Sequence, residues 1–266
     1  MGGFLLGKNM SITIDRKGTE YNALQAITDT YSDYYVDFNM HSSEASQASL
    51  KNRAAPAIRS MKDTDILLDI GSGRQGLEKK CIQAYGKPKG RFVTLDIARI
   101  PKSKLLLRGN SRVEHVRANG NILPFRDESI SIVVSNEALD FMKPDSLHEI
   151  FRVTKPGGRI FVNLCFSYMD PPTYEPDRQE EERRLTRIRN RESQRRSLYA
   201  DPEQLDPADV ASNFWQDYLQ HESLLISDPT EIAPMFSSAG FSIGRAKKAK
   251  GQGDNAWWEV DAYKCN

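Results

Sequence analysis

The chain has 266 residues, 39% of them apolar and 27% charged, and a net charge of +1. That length suits one large α/β domain or two small ones. The near-neutral charge excludes a whole-molecule footprint for nucleic acid, so such a partner would need a local basic patch. The three cysteines, Cys81, Cys165 and Cys265, lie far apart without a CxxC pair. This excludes a disulfide scaffold and a zinc cluster, so no metal site is expected, and it points to a reducing compartment.

Residues 1–60 are polar with scattered aromatics and read as an N-terminal helical cap, in which Leu50, Ala54, Ile58 and Met61 recur at helical spacing. Residues 61–166 change character. Asp65 to Ile70 is a short apolar run ending in glycines, as a buried parallel strand does. Residues 75–85 predict a helix that stops at Gly86. Arg91–Asp96, Val113–Val116 and Ile130–Val134 predict three further strands. Residues 145–154 predict a helix with Leu147, Ile150, Phe151 and Val153 on one face. Lys155-Pro156-Gly157-Gly158 ends it, and Arg159–Phe166 is a fifth strand.

The rhythm breaks at 167–226, a proline-led, charged and aromatic insert read as a helical lid, and returns over 227–266. There Asp228-Pro229-Thr230-Glu231 starts a helix that ends at Gly240, and 241–249 and 257–265 pair as a final hairpin. Strand and helix alternate as in doubly wound α/β folds. No apolar run reaches the roughly 20 residues of a membrane span. The opening MGGFLLGKN is too short and glycine-rich for a signal peptide, and Leu6 stands where a myristoylation signal wants Ser or Thr. A cytoplasmic protein is expected.

The sharpest motif is DIGSGRQG, Asp69 to Gly76. A strand runs into glycines and then a helix, which lets a ligand approach bare backbone. Gly71, Gly73 and Gly76 satisfy G-x-G-x-x-G, and Asp96 ends the next strand. This pattern also belongs to nicotinamide- and flavin-binding enzymes, so an NAD(P)-dependent oxidoreductase is one reading.

From this loop onward the chain resembles the class I S-adenosylmethionine-dependent methyltransferases, particularly those modifying quinones and small molecules. The resemblance is carried by DIGSG (69–73), LDIA (95–98), NILPFRDESISIVVSNEALDF (121–141), HEIFRVTKPGGRIFV (148–162) and MFSSAGF (235–241), in that order. It implies a Rossmann-like, seven-stranded, mostly parallel sheet. A C-terminal antiparallel hairpin closes it, with N-terminal helices and a helical insert after the fifth strand. It implies S-adenosyl-L-methionine as cofactor and a small-molecule acceptor. Asp69 and the backbone of Gly71, Ser72 and Gly73 would face the methionine and ribose of that cofactor. Asp96 would accept hydrogen bonds from the ribose hydroxyls, and Ile97 would pack on the adenine. Asn121, where many relatives carry Asp, and Ile122 would flank the adenine edge. Asn136 and Glu137 would end the fourth strand beside the methyl group. The family has no universal catalytic residue, and none is assigned.

Acceptor contacts are expected from the added segments. Tyr34 and Tyr35 belong to an aromatic cluster with Tyr31 and Phe38, and Trp215 and Tyr218 to another in the insert. SSEASQ, 42–47, is similar to a stretch of plant carboxyl methyltransferases, which implies a substrate role for Gln47. Asp170-Pro171-Pro172-Thr173-Tyr174 resembles the motif of adenine amino-methyltransferases but follows the wrong strand, so it reads as a loop. If the acceptor needs a base, His41 and His221 are better placed than His115 or His148. Residues 178–196 hold eight arginines and four glutamates, in pairs such as Glu180 and Arg184 that suit a solvated helix. With Lys247, Lys248 and Lys250 on the same face, they would instead suit an RNA or protein substrate. The acceptor and the oligomeric state stay open.

Overall fold

Apolar runs separated by glycine turns become the strands of one sheet. The computed structural model describes residues 4–6, 10–12, 44–165, 229–250 and 256–265. A small antiparallel pair, β1 (Phe4–Leu6) and β2 (Met10–Ile12), forms a sheet of its own. Helix α1 (Glu44–Arg59) precedes β3 (Ile66–Ile70), α2 (Gly76–Tyr85), β4 (Arg91–Asp96), β5 (Val113–Arg117) and β6 (Ile130–Asn136). Helix α3 (Ser146–Val153), β7 (Thr154–Cys165), α4 (Ile232–Ser238), β8 (Phe241–Lys250) and β9 (Ala256–Lys264) follow.

The main sheet has seven strands in the order β5-β4-β3-β6-β7-β9-β8. β3 to β7 pair in parallel, and β9 runs antiparallel between β7 and β8. β4 and β6 leave β3 on opposite sides, so the strand order reverses at β3. In open α/β sheets ligands bind at the carboxyl ends of the strands at that point.

Both faces of the sheet are covered, which is why the central strands read as continuous apolar runs. All five residues of β3 are buried. On one face, Leu50, Ala54 and Ile58 of α1 and Leu77 and Cys81 of α2 pack on Leu67, Phe92, Val134 and Phe161. On the other, Leu147, Ile150 and Val153 of α3 and Phe236 of α4 pack on Leu68, Val93, Val133 and Val260. Burying each large apolar side chain contributes about 1.5–3 kcal/mol.

The elements follow the sequence pattern with three local differences. The 1–60 segment, expected to be a helical cap, contributes the strand pair β1–β2 before helix α1. The Lys155–Gly158 tetrad does not separate helix from strand. Thr154 already pairs with Ile130 and Arg159 with Ile132, so the tetrad is an outward bulge of β7. Gly157 takes φ +73° there, and a Cβ on Gly158 would meet the Thr154 side chain at 2.6 Å. The last helix begins with a 3-10 turn, Pro229–Glu231, before α4 proper. Tyr31, Tyr34, Tyr35, Phe38 and His41 lie outside the described residues, as do the 167–226 insert with Trp215, Tyr218 and His221, and Asp228.

Candidate active site

The glycine loop is held by its neighbour strand. The N–H groups of Gly71 and Ser72 both donate to the Leu95 carbonyl, at 2.8 and 3.1 Å. This folds the chain back at the end of β3. Gly71 has φ +74° and Gly73 +52°, which glycine adopts without a Cβ penalty. At Gly71 the need is also steric: a Cβ would lie 2.1 Å from the Ala138 methyl. The third left-handed position is not Gly76 but Gln75, φ +71°. Its buried amide stabilises that conformation. Nε2 donates to the Thr94 hydroxyl at 3.2 Å and Oε1 accepts from Leu107 N–H at 3.0 Å.

Asp96 ends β4 and is buried. Its Oδ2 accepts from Gly73 N–H at 2.8 Å and its Oδ1 from Ala98 N–H at 2.9 Å. Burial pushes this carboxyl up, and the backbone donors oppose that. Each carboxylate oxygen has a second acceptor site, so two further donors can be met. Beneath the loop, Asp69 and Glu78 are both buried. Burial raises both, and the charge of Glu78 raises Asp69 further. Two neighbouring buried carboxyls resist ionising together, so the pair holds on to protons. The same burial pushes the neighbouring Cys81 thiol up to about 12.

A row of polar side chains crosses the face under α1 at the carboxyl ends of β6 and β7. Asn136 stands opposite Asn163, and Asn163 opposite Glu259. Helix α1 completes the row. Ser46 Oγ donates to Asn136 Oδ1 at 2.8 Å, and Asn163 Nδ2 donates to the Ser46 carbonyl at 2.8 Å and to Asn136 Oδ1 at 2.8 Å. The Arg53 guanidinium donates to Asn163 Oδ1, to Asp261 and to the Val162 carbonyl at 3.1 Å. Ser49 donates to Glu259, which also pairs with Arg245 at 2.6 Å. Glu137 follows Asn136 at φ +56°, and its N–H donates to the Asn163 carbonyl at 2.8 Å. Burial pushes the Glu137 carboxyl up, and its hydrogen bond with Ser46 opposes that.

The structure thus gathers Asp69, Gly71, Ser72, Gly73, Asp96, Ile97, Asn136 and Glu137 at the strand ends around the switch point. Gln47 lies near the loop as well: a Cβ on Gly76 would be 3.7 Å from its Oε1. Asn121 Oδ1 accepts from Lys143 N–H at 2.7 Å, and Ile122 is 43% exposed. Two residues earlier, Asn119 is the buried amide, directly after the extension of β5 that bonds Ala118 N–H to the Asp96 carbonyl at 3.0 Å. Sequence reading missed Asn119, Glu78 and the partners of Asn136. Glu78 was discoverable, because it shares a buried helix face with Leu77 and Cys81.

The donors present fit S-adenosylmethionine. The Ser72 hydroxyl and Asn136 Nδ2 are buried at the loop and at the end of β6 with no hydrogen-bond partner among the described residues. A polar ligand lying between these two elements would satisfy them, and Asp96 keeps capacity for a diol.

Strand order and loop resemble those of S-adenosylmethionine-dependent methyltransferases. Residues 68–162 match the family model described as "Methyltransferase domain". The chain is similar to the ubiquinone/menaquinone biosynthesis C-methyltransferase UbiE of Hahella chejuensis, 36% identical over 103 residues. That match covers 36% of this chain and 41% of the relative. The UbiE protein of Vibrio vulnificus is 34% identical over 117 residues, covering 41% and 43%. The chain therefore spans less than half the length of these curated relatives. Among solved structures, the fold is similar to the 1,6-didemethyltoxoflavin-N1-methyltransferase of Burkholderia thailandensis. The TM-score is 0.58 at 14% identity, over the whole of both chains. The [4+2]-cyclase SpnF shares the fold at a TM-score of 0.53 and 14% identity, over 82% of this chain and 80% of that one. Fold alone does not fix the reaction.

Proposed function

We propose that the protein transfers a methyl group from S-adenosylmethionine to a small-molecule acceptor by direct in-line displacement. The carrying observation is the buried Asp96 carboxylate, which anchors the glycine loop through Gly73 while keeping acceptor capacity for a ribose diol. The match of 68–162 to a methyltransferase domain and the similarity to UbiE proteins support the same reading. The cofactor supplies an activated methyl group and a neutral thioether leaving group. The protein's part is positioning and water exclusion. Asp96 would hold the ribose, the backbone of 71–73 would lie along the methionine, and Asn119 and Ile97 would border the adenine. Glu137, raised by burial, would take a proton from an acceptor hydroxyl.

Calorimetry tests this. S-adenosylhomocysteine should bind and NAD(P) should not; the opposite result would replace a methyltransferase with an oxidoreductase. An RNA substrate is not favoured. Arg245 and Lys247 on β8 are already drawn to Glu259, at 2.6 and 3.9 Å. RNA binding that falls steeply with salt would reverse that choice. A reducing, cytoplasmic setting is proposed from the cysteine pattern, with Cys81 a buried free thiol.

A further inference from the structure

Charge is spread unevenly along this near-neutral chain. Between Ile70 and Val113 stand eleven of its 37 cations but only two of its 36 acids. Both acids, Glu78 and Asp96, are buried, so this stretch shows solvent no acidic side chain. Lys79, Lys102 and Arg108 are exposed and have no acidic partner among the described residues.

The fold collects these cations on one flank. Leu77 and Cys81 hold α2 against Leu67 and Phe92, which leaves Lys79 on its outer side. The segment between β4 and β5 is stitched alongside the start of α2. Arg74 Nε donates to the Lys104 carbonyl at 3.2 Å, Leu106 N–H to the Arg74 carbonyl at 3.2 Å, and Leu107 N–H to Gln75 Oε1 at 3.0 Å. On this side β5 is the edge of the sheet. A basic surface therefore runs from the glycine loop, over the first turn of α2, toward that edge.

Its centre is apolar. Leu105, Leu106 and Leu107 form an unbroken run between Lys104 and Arg108, and Leu106 is 43% exposed. One exposed leucine is ordinary on a protein surface. A leucine flanked by unpaired cations matches a bilayer interface, where anionic headgroups lie directly above the acyl boundary. A nucleic acid would use the cations and leave the leucine idle. Residues 93–124 also hold no Phe, Tyr or Trp on which bases could stack.

We infer that this flank is a docking surface for an anionic lipid bilayer. The cations meet headgroups, and Leu106 enters the acyl boundary. The contact is peripheral, reversible and sensitive to salt. It turns the glycine-loop side of the sheet toward the bilayer.

The test is sedimentation of the full chain with vesicles of equal parts phosphatidylcholine and phosphatidylglycerol, against vesicles of phosphatidylcholine alone. The wild type should sediment with the mixed vesicles, far less with the neutral ones, and let go as salt rises. Lys79→Ala, Lys102→Ala and Arg108→Ala should each weaken mixed-vesicle binding about fivefold, as loss of one cation near a charged surface implies. Leu106→Gln should weaken it as well, and Lys102→Arg should bind like the wild type. All four side chains are exposed, so urea midpoints should not move. Equal binding to both vesicle types, or to neither, would overturn the inference, as would a Leu106→Gln variant that binds like the wild type. Two other outcomes would reassign the surface and overturn it too. Oligouridine bound more tightly than the mixed vesicles, and lost in the alanine variants, would give the surface to RNA. Alanine variants that unfold at lower urea, with a wild type that ignores vesicles, would give it to stretch 201–228 of the chain, which has seven acids and no Lys or Arg.

Discussion

Replacing Gly71 with alanine tests the contact at the centre of the site. The new methyl would lie 2.1 Å from the Ala138 methyl, where carbons pack at about 3.5–4.0 Å. Backbone on both sides of that contact must move. Overpacking of this kind costs about 1–3 kcal/mol. The φ of +74° adds about 1–2 kcal/mol for any residue with a Cβ. Gly71→Ala should therefore lose about 2–5 kcal/mol in urea unfolding. Adding Ala138→Gly removes the clash but not the backbone penalty, so the double variant should regain about 1–3 kcal/mol. Its affinity for S-adenosylhomocysteine should stay below wild type, because the added methyl still lines the loop. A single variant as stable as wild type would refute the reasoning, and so would a double variant no more stable than the single one.

Asp96→Ala removes a charged acceptor from the ribose position and should weaken S-adenosylhomocysteine binding by about 2–4 kcal/mol in calorimetry, while circular dichroism stays native. Glu78→Gln should change how stability depends on pH. Burial raises both Asp69 and Glu78, so the folded state holds protons that the unfolded chain releases. Wild-type stability must then fall as pH rises from the ordinary carboxylate range toward the raised values. The variant should unfold at higher urea than wild type at pH 8, with a smaller difference at pH 5; equal midpoints at both would disprove that burial raises this pair. Arg53→Ala strands Asp261 and Asn163 and should cost about 3–5 kcal/mol by chemical denaturation. In peptide mapping after iodoacetamide, Cys265 should be labelled in the folded protein, whereas Cys81, a buried thiol pushed up to about 12, should react only after unfolding.

Features that depend on neighbours in sequence were legible there. β3, β4 and β6 show as apolar runs because both faces are covered, and α3 shows because Leu147, Ile150 and Val153 repeat at helical spacing and are all buried. The glycine loop and Asp96 are visible for the same reason. The bulge at 155–158 was misread because glycine and proline signal a break without saying whether pairing resumes in the same strand. Gln75 was invisible as a left-handed residue because its conformation is held by Thr94 and Leu107, contacts the local sequence does not announce. The polar row was hidden most deeply. Ser46 and Asn136 are 90 positions apart and Arg53 and Asp261 are 208 apart, so no local pattern links them.

That separation has a consequence for how the protein is made. The glycine loop, Asp96 and Asn136 all lie between positions 69 and 136, and they can assemble once β3, β4 and β6 have paired. The row around Asn136 is complete only when Arg53 bridges Val162 and Asn163 on β7 to Val260 and Asp261 on β9. Contacts of such long range form late, after the loop-closure cost has been met. During synthesis the chain would therefore pass through a stage with the glycine loop formed but the polar row incomplete. A ribosome-bound chain stopped before residue 256 should retain S-adenosylhomocysteine. The polar row is thus the last part of this site to be completed, and the first it would lose if β9 frayed.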